Sequence, residues 1–132
     1  MLVHGRNDWN GDVTMLKYFI TPSEPAVVRL TRNILSQAEA YLDTVQQELQ
    51  LFVKAKLLFN EFVSKLVYVN DPKSSQDYVQ YPSETLTLHG GDCDDMTVGY
   101  ATLLSSVGIA TAFVDVIPPE QPDNAHIYLM FD

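Results

Sequence analysis

The chain has 132 residues, a length that fits one compact domain with a single hydrophobic core. Its 17 acidic and 8 basic residues give a formal net charge of −9, so its field should repel nucleic acid and anionic membrane surfaces. With 46% hydrophobic residues it is too apolar for a disordered protein, yet no apolar run approaches the roughly 18 residues of a membrane span. We therefore expect a single domain over residues 1–132, with neither nucleic acid nor a membrane as a partner.

The first 24 residues are predicted to form an N-terminal extension. Its turn-forming residues precede a stretch at 14–20 whose alternating apolar side chains indicate a short strand. The first helix is predicted within residues 21–42, with Ser23 as its N-cap and Pro25 in its first turn.

A second and longer helix is predicted from about Asp43 to Tyr68. Apolar residues continue there at intervals of three and four, and no Gly or Pro interrupts them. Residues 25–69 therefore form a helical region. Helical spacing makes three of its aromatic residues ordinary core residues: Phe52, Phe59 and Phe62.

The stretch between the second and third helices is predicted to be mostly loop. Residues 70–92 are polar, and their Asn-Asp-Pro and Tyr-Pro pairs are typical of turns. The third helix should begin at Asp92 or Cys93 and end by Val107, with Gly108 as the residue that follows its C-cap.

Two strands are predicted after the third helix, at 109–117 and 125–131, where β-branched and aromatic residues are frequent. Helices that precede strands favour an α+β fold, with the helices packed on a small antiparallel sheet. Because two strands alone are marginal, either the segment 14–20 joins the sheet or the sheet continues beyond residue 132 in a chain truncated on its C-terminal side. An exposed sheet edge would favour self-association.

The motif HGGDCDDMT places the single cysteine, Cys93, at the N-terminus of the third helix. The helix dipole and the free N–H groups there stabilise a thiolate, whereas the neighbouring aspartates oppose its ionisation. A nearby imidazolium would have to compensate for them. His126 begins the last strand and is the candidate, because a Cys-His pair suffices for nucleophilic acyl chemistry.

Residues 81–115, YPSETLTLHGGDCDDMTVGYATLLSSVGIATAFVD, resemble the core motif of the transglutaminase-like superfamily. The matching residues are Pro82, Glu84, Thr85, Leu86, Gly91, Asp92, Cys93, Asp95, Leu103, Leu104, Gly108, Ile109 and, further on, His126. The resemblance implies a papain-like core in which Cys93 is the nucleophile and His126 is the general base and then the general acid. Residues 82–132 would then hold the catalytic helix and strands.

The function implied by the resemblance is that of a cysteine-dependent amide hydrolase or acyl transferase, with hydrolysis the expected reaction. Its substrate would be a protein or peptide, and it would need neither a cofactor nor a metal.

The acid that would orient His126 is not evident in this sequence. In the superfamily it lies on the strand after the histidine strand, and the chain stops six residues after His126. We therefore expect this acid outside the chain, with Asp115 as an alternative if the strand register brings it beside His126. Asp92 and Asp95 are supporting candidates, although acids in a first helical turn are equally explained by capping.

Two other functions stay open. One is a non-catalytic transglutaminase-like module that binds a partner or acts as a scaffold, because a fold does not guarantee a function. The other is a zinc site, for which the candidate ligands are His89, Asp92, Cys93 and His126. No Cys-x-x-Cys or His-Glu-x-x-His pattern supports zinc, and a lone cysteine leaves the cellular compartment open.

Overall fold

The computed structural model describes residues 13–69, 79–116, 119–120 and 126–131. The helices are α1 (Pro25–Gln37), α2 (Glu39–Leu42), α3 (Gln50–Ser64), α4 (Pro82–Leu88) and α5 (Cys93–Ser106), with 3₁₀-helices at Val13–Phe19 and Gln47–Leu49. The strands are β1 (Val67–Tyr68), β2 (Gly90–Gly91), β3 (Thr111–Val116) and β4 (His126–Phe131). The predicted α+β class is confirmed. Within the described ranges, no helix is both long enough and apolar enough to span a bilayer.

The segment predicted as an N-terminal strand is instead the 3₁₀-helix Val13–Phe19, so that prediction is wrong. A 3₁₀-helix has three residues per turn, which places Leu16 and Phe19 on one side. Both are buried in a core cluster that includes Ile127 of β4, whereas Tyr18 is 62% exposed. The true period of the segment is therefore three rather than two, and the segment does not join the sheet.

The first predicted helix is confirmed at its start and broken near its end. Pro25 occupies the first turn, as expected, because its fixed φ suits that position. Ser23 is not the N-cap. That position belongs to Glu24, whose side chain makes no capping hydrogen bond. At Ala38 the backbone leaves the helical region (φ −99°, ψ 4°), so the predicted single helix is divided into α1 and α2.

Helix α3 is shorter than predicted and buries only one of its three phenylalanines. Its buried face is formed by Ala55, Leu58 and Phe62. Phe52 and Phe59 lie roughly 70–90° around the helix from the centre of that face, at 3.6 residues per turn. They are 61% and 47% exposed, so the prediction that they are core residues is wrong.

Helix α5 is the central element of the core. Its start at Cys93 agrees with the prediction, and Gly108 follows the helix in the left-handed conformation with φ 82°. Helix α3 approaches α5 so closely that a Cβ at Gly99 would lie 2.5 Å from Cζ of Phe62. The hydroxyl of Tyr100 also donates to the carbonyl oxygen of residue 55 on α3 at 2.8 Å.

The predicted loop at 70–92 is wrong for its second half, and residues 70–78 lie outside the described residues. The Tyr-Pro pair that suggested a turn begins α4. Pro82 occupies its first turn, and the backbone N–H of Tyr81 donates to Oε1 of Glu84 at 3.0 Å in a capping box. After α4, strand β2 pairs in parallel with β1, which was predicted to be the last turn of the second helix.

Strands β3 and β4 are antiparallel, with a register that runs from Thr111 opposite Phe131 to Val116 opposite His126. This two-stranded sheet packs on α5, as the predicted arrangement of helices on a small antiparallel sheet requires.

Candidate functional site

A two-residue parallel pairing brings strand β1 beside the N-terminus of α5. The backbone N–H of Val67 donates to the carbonyl of His89, and that of Val69 donates to the carbonyl of Gly91, both at 2.9 Å. A Cβ at Gly90 would lie 2.5 Å from the carbonyl oxygen of Val67, so a residue with a side chain would not fit there without a shift. The register sets Tyr68 opposite Gly91, two residues before the cysteine.

Cys93 is the first residue of α5, and its thiol is half-buried. The thiol donates to Oδ1 of Asp94 with a sulfur-to-oxygen distance of 3.5 Å. Burial raises the pKa of the Tyr68 phenol, and the neighbouring Cys93 and Asp92 add to the effect, so this phenol lies beside the thiol. No sequence pattern indicated Tyr68, because its place at the thiol depends on a strand pairing across more than twenty residues.

The surroundings of Cys93 favour the protonated thiol. Burial raises the pKa of Cys93 to about 12, and the carboxylates of Asp94 and Asp92 add to the effect. Among the described residues, the favourable dipole of α5 is therefore outweighed by desolvation and like charge. A thiolate would need a cation supplied by another element.

Asp92 and Asp95 form a capping box at the start of α5. The backbone N–H of Asp95 donates to Oδ1 of Asp92 at 3.1 Å, and the backbone N–H of Asp92 donates to Oδ2 of Asp95 at 3.0 Å. Each carboxylate thus satisfies an N–H group that the helix leaves unpaired.

The carboxylate of Asp95 also ties the segment before α4 to the start of α5. Its Oδ1 accepts the backbone N–H of Gln80 at 2.8 Å, and its Oδ2 accepts the side-chain amide of Gln80 at 3.0 Å. The same amide donates to the carbonyl of Gly90 at 3.1 Å. Burial raises the pKa of Asp95 to about 6, although the hydrogen bonds from the N–H groups of Gln80 and Asp92 lower it. These contacts give Asp95 a structural role, and Gln80 was not identified from the sequence.

The backbone of strand β4 places the position of His126 at the cysteine end of α5. Ile127 lies in one core cluster with Val98, and Leu129 packs on the cluster that contains Leu104. Strand β4 therefore runs in the same direction as α5, and His126 begins it at the end nearer Cys93. The structure describes the backbone of His126 but not its imidazole, which lies outside the described residues.

The strand register bears on the prediction that Asp115 could orient His126. The residue paired directly with His126 is Val116, and Asp115 is paired with the next residue of β4, Ile127.

The zinc alternative depends on which side chains lie close together. Among the side chains that the structure describes, no group of three or more His, Cys, Asp and Glu residues is arranged to hold a metal ion. Because one candidate zinc ligand is His126, the zinc alternative stays a prediction.

No family model matches the sequence, and no curated protein or solved structure is significantly similar to it.

Proposed function

We propose that this chain is a papain-like, cysteine-dependent amide hydrolase or acyl transferase whose nucleophile is Cys93. The observation that carries the proposal is geometric: a half-buried thiol begins α5 at the same end of the core where the histidine position begins β4. The resemblance to the transglutaminase-like superfamily supports the same pair of residues. The substrate is a peptide bond or a glutamine side chain, and the reaction needs no cofactor.

In this proposal, His126 is a general base that removes the thiol proton as the sulfur attacks the carbonyl carbon. With a pKa of about 12, Cys93 carries very little negative charge at neutral pH, so proton transfer must accompany attack. His126 then donates that proton to the leaving nitrogen, and a thioester with Cys93 remains. Water attacks the thioester in hydrolysis, whereas an amine attacks it in transfer.

Tyr68 and the backbone N–H of Cys93 are the donors at hand for the oxygen of the tetrahedral intermediate. The phenol of Tyr68 lies beside Cys93. A bound carbonyl oxygen would accept both the backbone N–H of Cys93 and the phenol O–H. Tyr68 is 55% exposed, so its side chain has room to move when substrate binds.

One observation favours the second candidate, a binding module without turnover. The thiol of Cys93 donates to Asp94 and lies among groups that disfavour its ionisation, which is unusual for a cysteine nucleophile. Exposed Phe52 and Phe59 on α3 would then belong to a surface that contacts a partner.

The test is peptide turnover by the purified chain. A digest of mixed proteins is incubated with wild type, Cys93→Ala and His126→Ala, and mass spectrometry records new peptide ends and deamidated glutamines. Turnover should disappear in both variants and persist in His4→Ala, a control that also removes one histidine. Equal spectra for wild type and Cys93→Ala would exclude catalysis by this thiol, and stoichiometric zinc in the purified protein would favour the metal site.

A further inference from the structure

A pocket of about 320 Å³ lies between α1, the residues that follow α3, and the C-terminal end of α4. This volume is at the lower end of the roughly 300–1,000 Å³ range of small-molecule sites. Its lining residues are Ala26, Arg29, Leu30, Asn33, Lys65, Leu66, Leu86 and His89. The four residues from α1 are spaced at i, i+3, i+4 and i+7, so they share one face of that helix.

The floor of the pocket is apolar and rests on the protein core. Leu30, Leu66 and Leu86 are half-buried and pack on the buried cluster that contains Val27 and Phe62. The floor is therefore held by close-packed side chains, as in preformed ligand sites. It offers an aliphatic surface that an apolar group could cover.

The rim of the pocket carries the opposite charge to the rest of the protein. The chain has 17 acidic residues against 8 Lys and Arg, yet two of those eight, Arg29 and Lys65, line this pocket, and none of the described lining residues is a carboxylate. Asn33 and His89 complete the polar rim. A local excess of positive charge over an apolar floor selects an anion that also has an apolar part.

His89 lies at the rim in a conformation that glycine would adopt at less cost. It follows α4 with φ 58° and ψ 35°, in the left-handed region that residues with a Cβ seldom occupy. Its carbonyl accepts the N–H of Val67, so the β1–β2 pairing holds the residue in place. Left-handed residues commonly end helices, so this conformation fixes the position of His89 at the rim without itself indicating a ligand.

We infer that this pocket binds a small organic monocarboxylate with an aliphatic chain. The carboxylate would lie between the guanidinium of Arg29 and the ammonium of Lys65, and the aliphatic chain would cover Leu30, Leu66 and Leu86. Asn33 would bond an amide beside the carboxylate, as in a peptide C-terminus. The inference goes beyond the chemistry proposed for Cys93 and does not depend on it.

The test is a titration of ¹⁵N-labelled protein followed by NMR, with N-acetylleucine as the probe for a peptide C-terminus and hexanoate as the probe for a free fatty acid. We expect saturable shifts at the amides of Leu30, Leu86 and His89. Both probes share the required chemistry, and the tighter one identifies the source of the carboxylate. N-acetylleucinamide, which lacks the charge, and inorganic phosphate, which lacks the apolar chain, should each bind at least tenfold more weakly.

Matched variants locate the site. Arg29→Gln should weaken binding at least tenfold, the loss expected for a charge-assisted hydrogen bond of about 1.4 kcal/mol or more. Arg32→Gln removes the same charge one turn further along α1, outside the pocket lining, and should leave the affinity within twofold of wild type. Cys93→Ala should also bind normally, which separates this inference from the proposed reaction.

Three outcomes would overturn the inference. One is the absence of shifts for N-acetylleucine and hexanoate at concentrations up to about 10 mM, because even a weak specific site should bind with a Kd of about 1 mM. Another is equal binding of N-acetylleucine and its amide. The third is an equal effect of Arg29→Gln and Arg32→Gln in variants whose spectra confirm the native fold.

Discussion

Replacing Asp94 with asparagine should make the Cys93 thiol ionise more easily and react faster. The Asp94 carboxylate accepts a hydrogen bond from the thiol at a sulfur-to-oxygen distance of 3.5 Å. After burial, the charge of Asp94 is the largest cause of the raised pKa of Cys93. Asparagine keeps the shape and removes the charge. The thiolate would then no longer face a carboxylate at contact distance.

The size of the effect follows from the separation of the charges. A rise in pKa from 9.0 to about 12 lowers the thiolate population at neutral pH roughly a thousandfold. Two unit charges about 3.5 Å apart repel by about 1.2 kcal/mol in water and by several times more in a partly buried site. Because Cys93 is half-buried, Asp94→Asn should lower its pKa by at least about one unit, which raises the thiolate population about tenfold. Burial persists in the variant, so the pKa of the variant should stay above its ordinary value.

The assay is the rate of iodoacetamide alkylation between pH 7 and pH 11, measured by mass spectrometry of the intact protein. Asp94→Glu keeps the charge and Asp43→Asn removes an exposed carboxylate elsewhere, so both should behave as wild type. A change of less than about twofold in Asp94→Asn would refute the electrostatic reasoning. A wild-type rate that levels off well below pH 8.5, and does so only with His126 present, would show that the imidazole outweighs both carboxylates.

Two further predictions concern stability. Thr102 is fully buried and its hydroxyl has no hydrogen-bond partner among the described residues, so Thr102→Val should raise the free energy of unfolding in urea by up to about 1 kcal/mol. In the control Thr31→Val, which loses a bond to the carbonyl of Val27 at 3.1 Å, no gain is expected, and equal gains would contradict the argument. The folded-state pKa of Asp95 is raised from 3.8 to about 6, so this carboxyl stabilises the fold below pH 4 and loses that contribution as the pH rises through 6. Wild type should therefore lose stability relative to Asp95→Asn across that window, and parallel pH profiles of the two proteins would contradict it.

The elements predicted correctly are those whose signals lie within a few residues. The start of α5 is marked by Asp92 and Asp95, which form the capping box that their spacing of three suggests. Its end is marked by Gly108, which adopts the expected positive φ. The antiparallel pair β3–β4 follows from β-branched residues bounded by turn residues, although β3 begins at Thr111, two residues later than predicted.

The errors arise where tertiary contacts decide between local alternatives. A proline after tyrosine is compatible both with a turn and with the first turn of a helix, and the capping bond from Tyr81 to Glu84 selects the helix. Strand β1 exists only because its N–H groups meet the carbonyls of His89 and Gly91, a pairing that no local pattern reveals. The position of Tyr68 beside the thiol could not be predicted for the same reason, whereas the exposure of Phe52 depends on which face of α3 packs on the core.

The acidic residues around Cys93 illustrate how structure and chemistry compete at this site. Asp92 and Asp95 hold the first turn of α5, and Asp95 also holds Gln80, so removing either side chain would leave N–H groups at this turn without an acceptor. The same carboxylate of Asp92, together with Asp94, raises the pKa of the thiol that this turn presents. Any cation that restores the reactivity of Cys93 must therefore come from a different element. Among the described elements, β4 begins beside this end of α5 with a histidine, so the Cys-His hypothesis depends on that strand rather than on the motif around the cysteine.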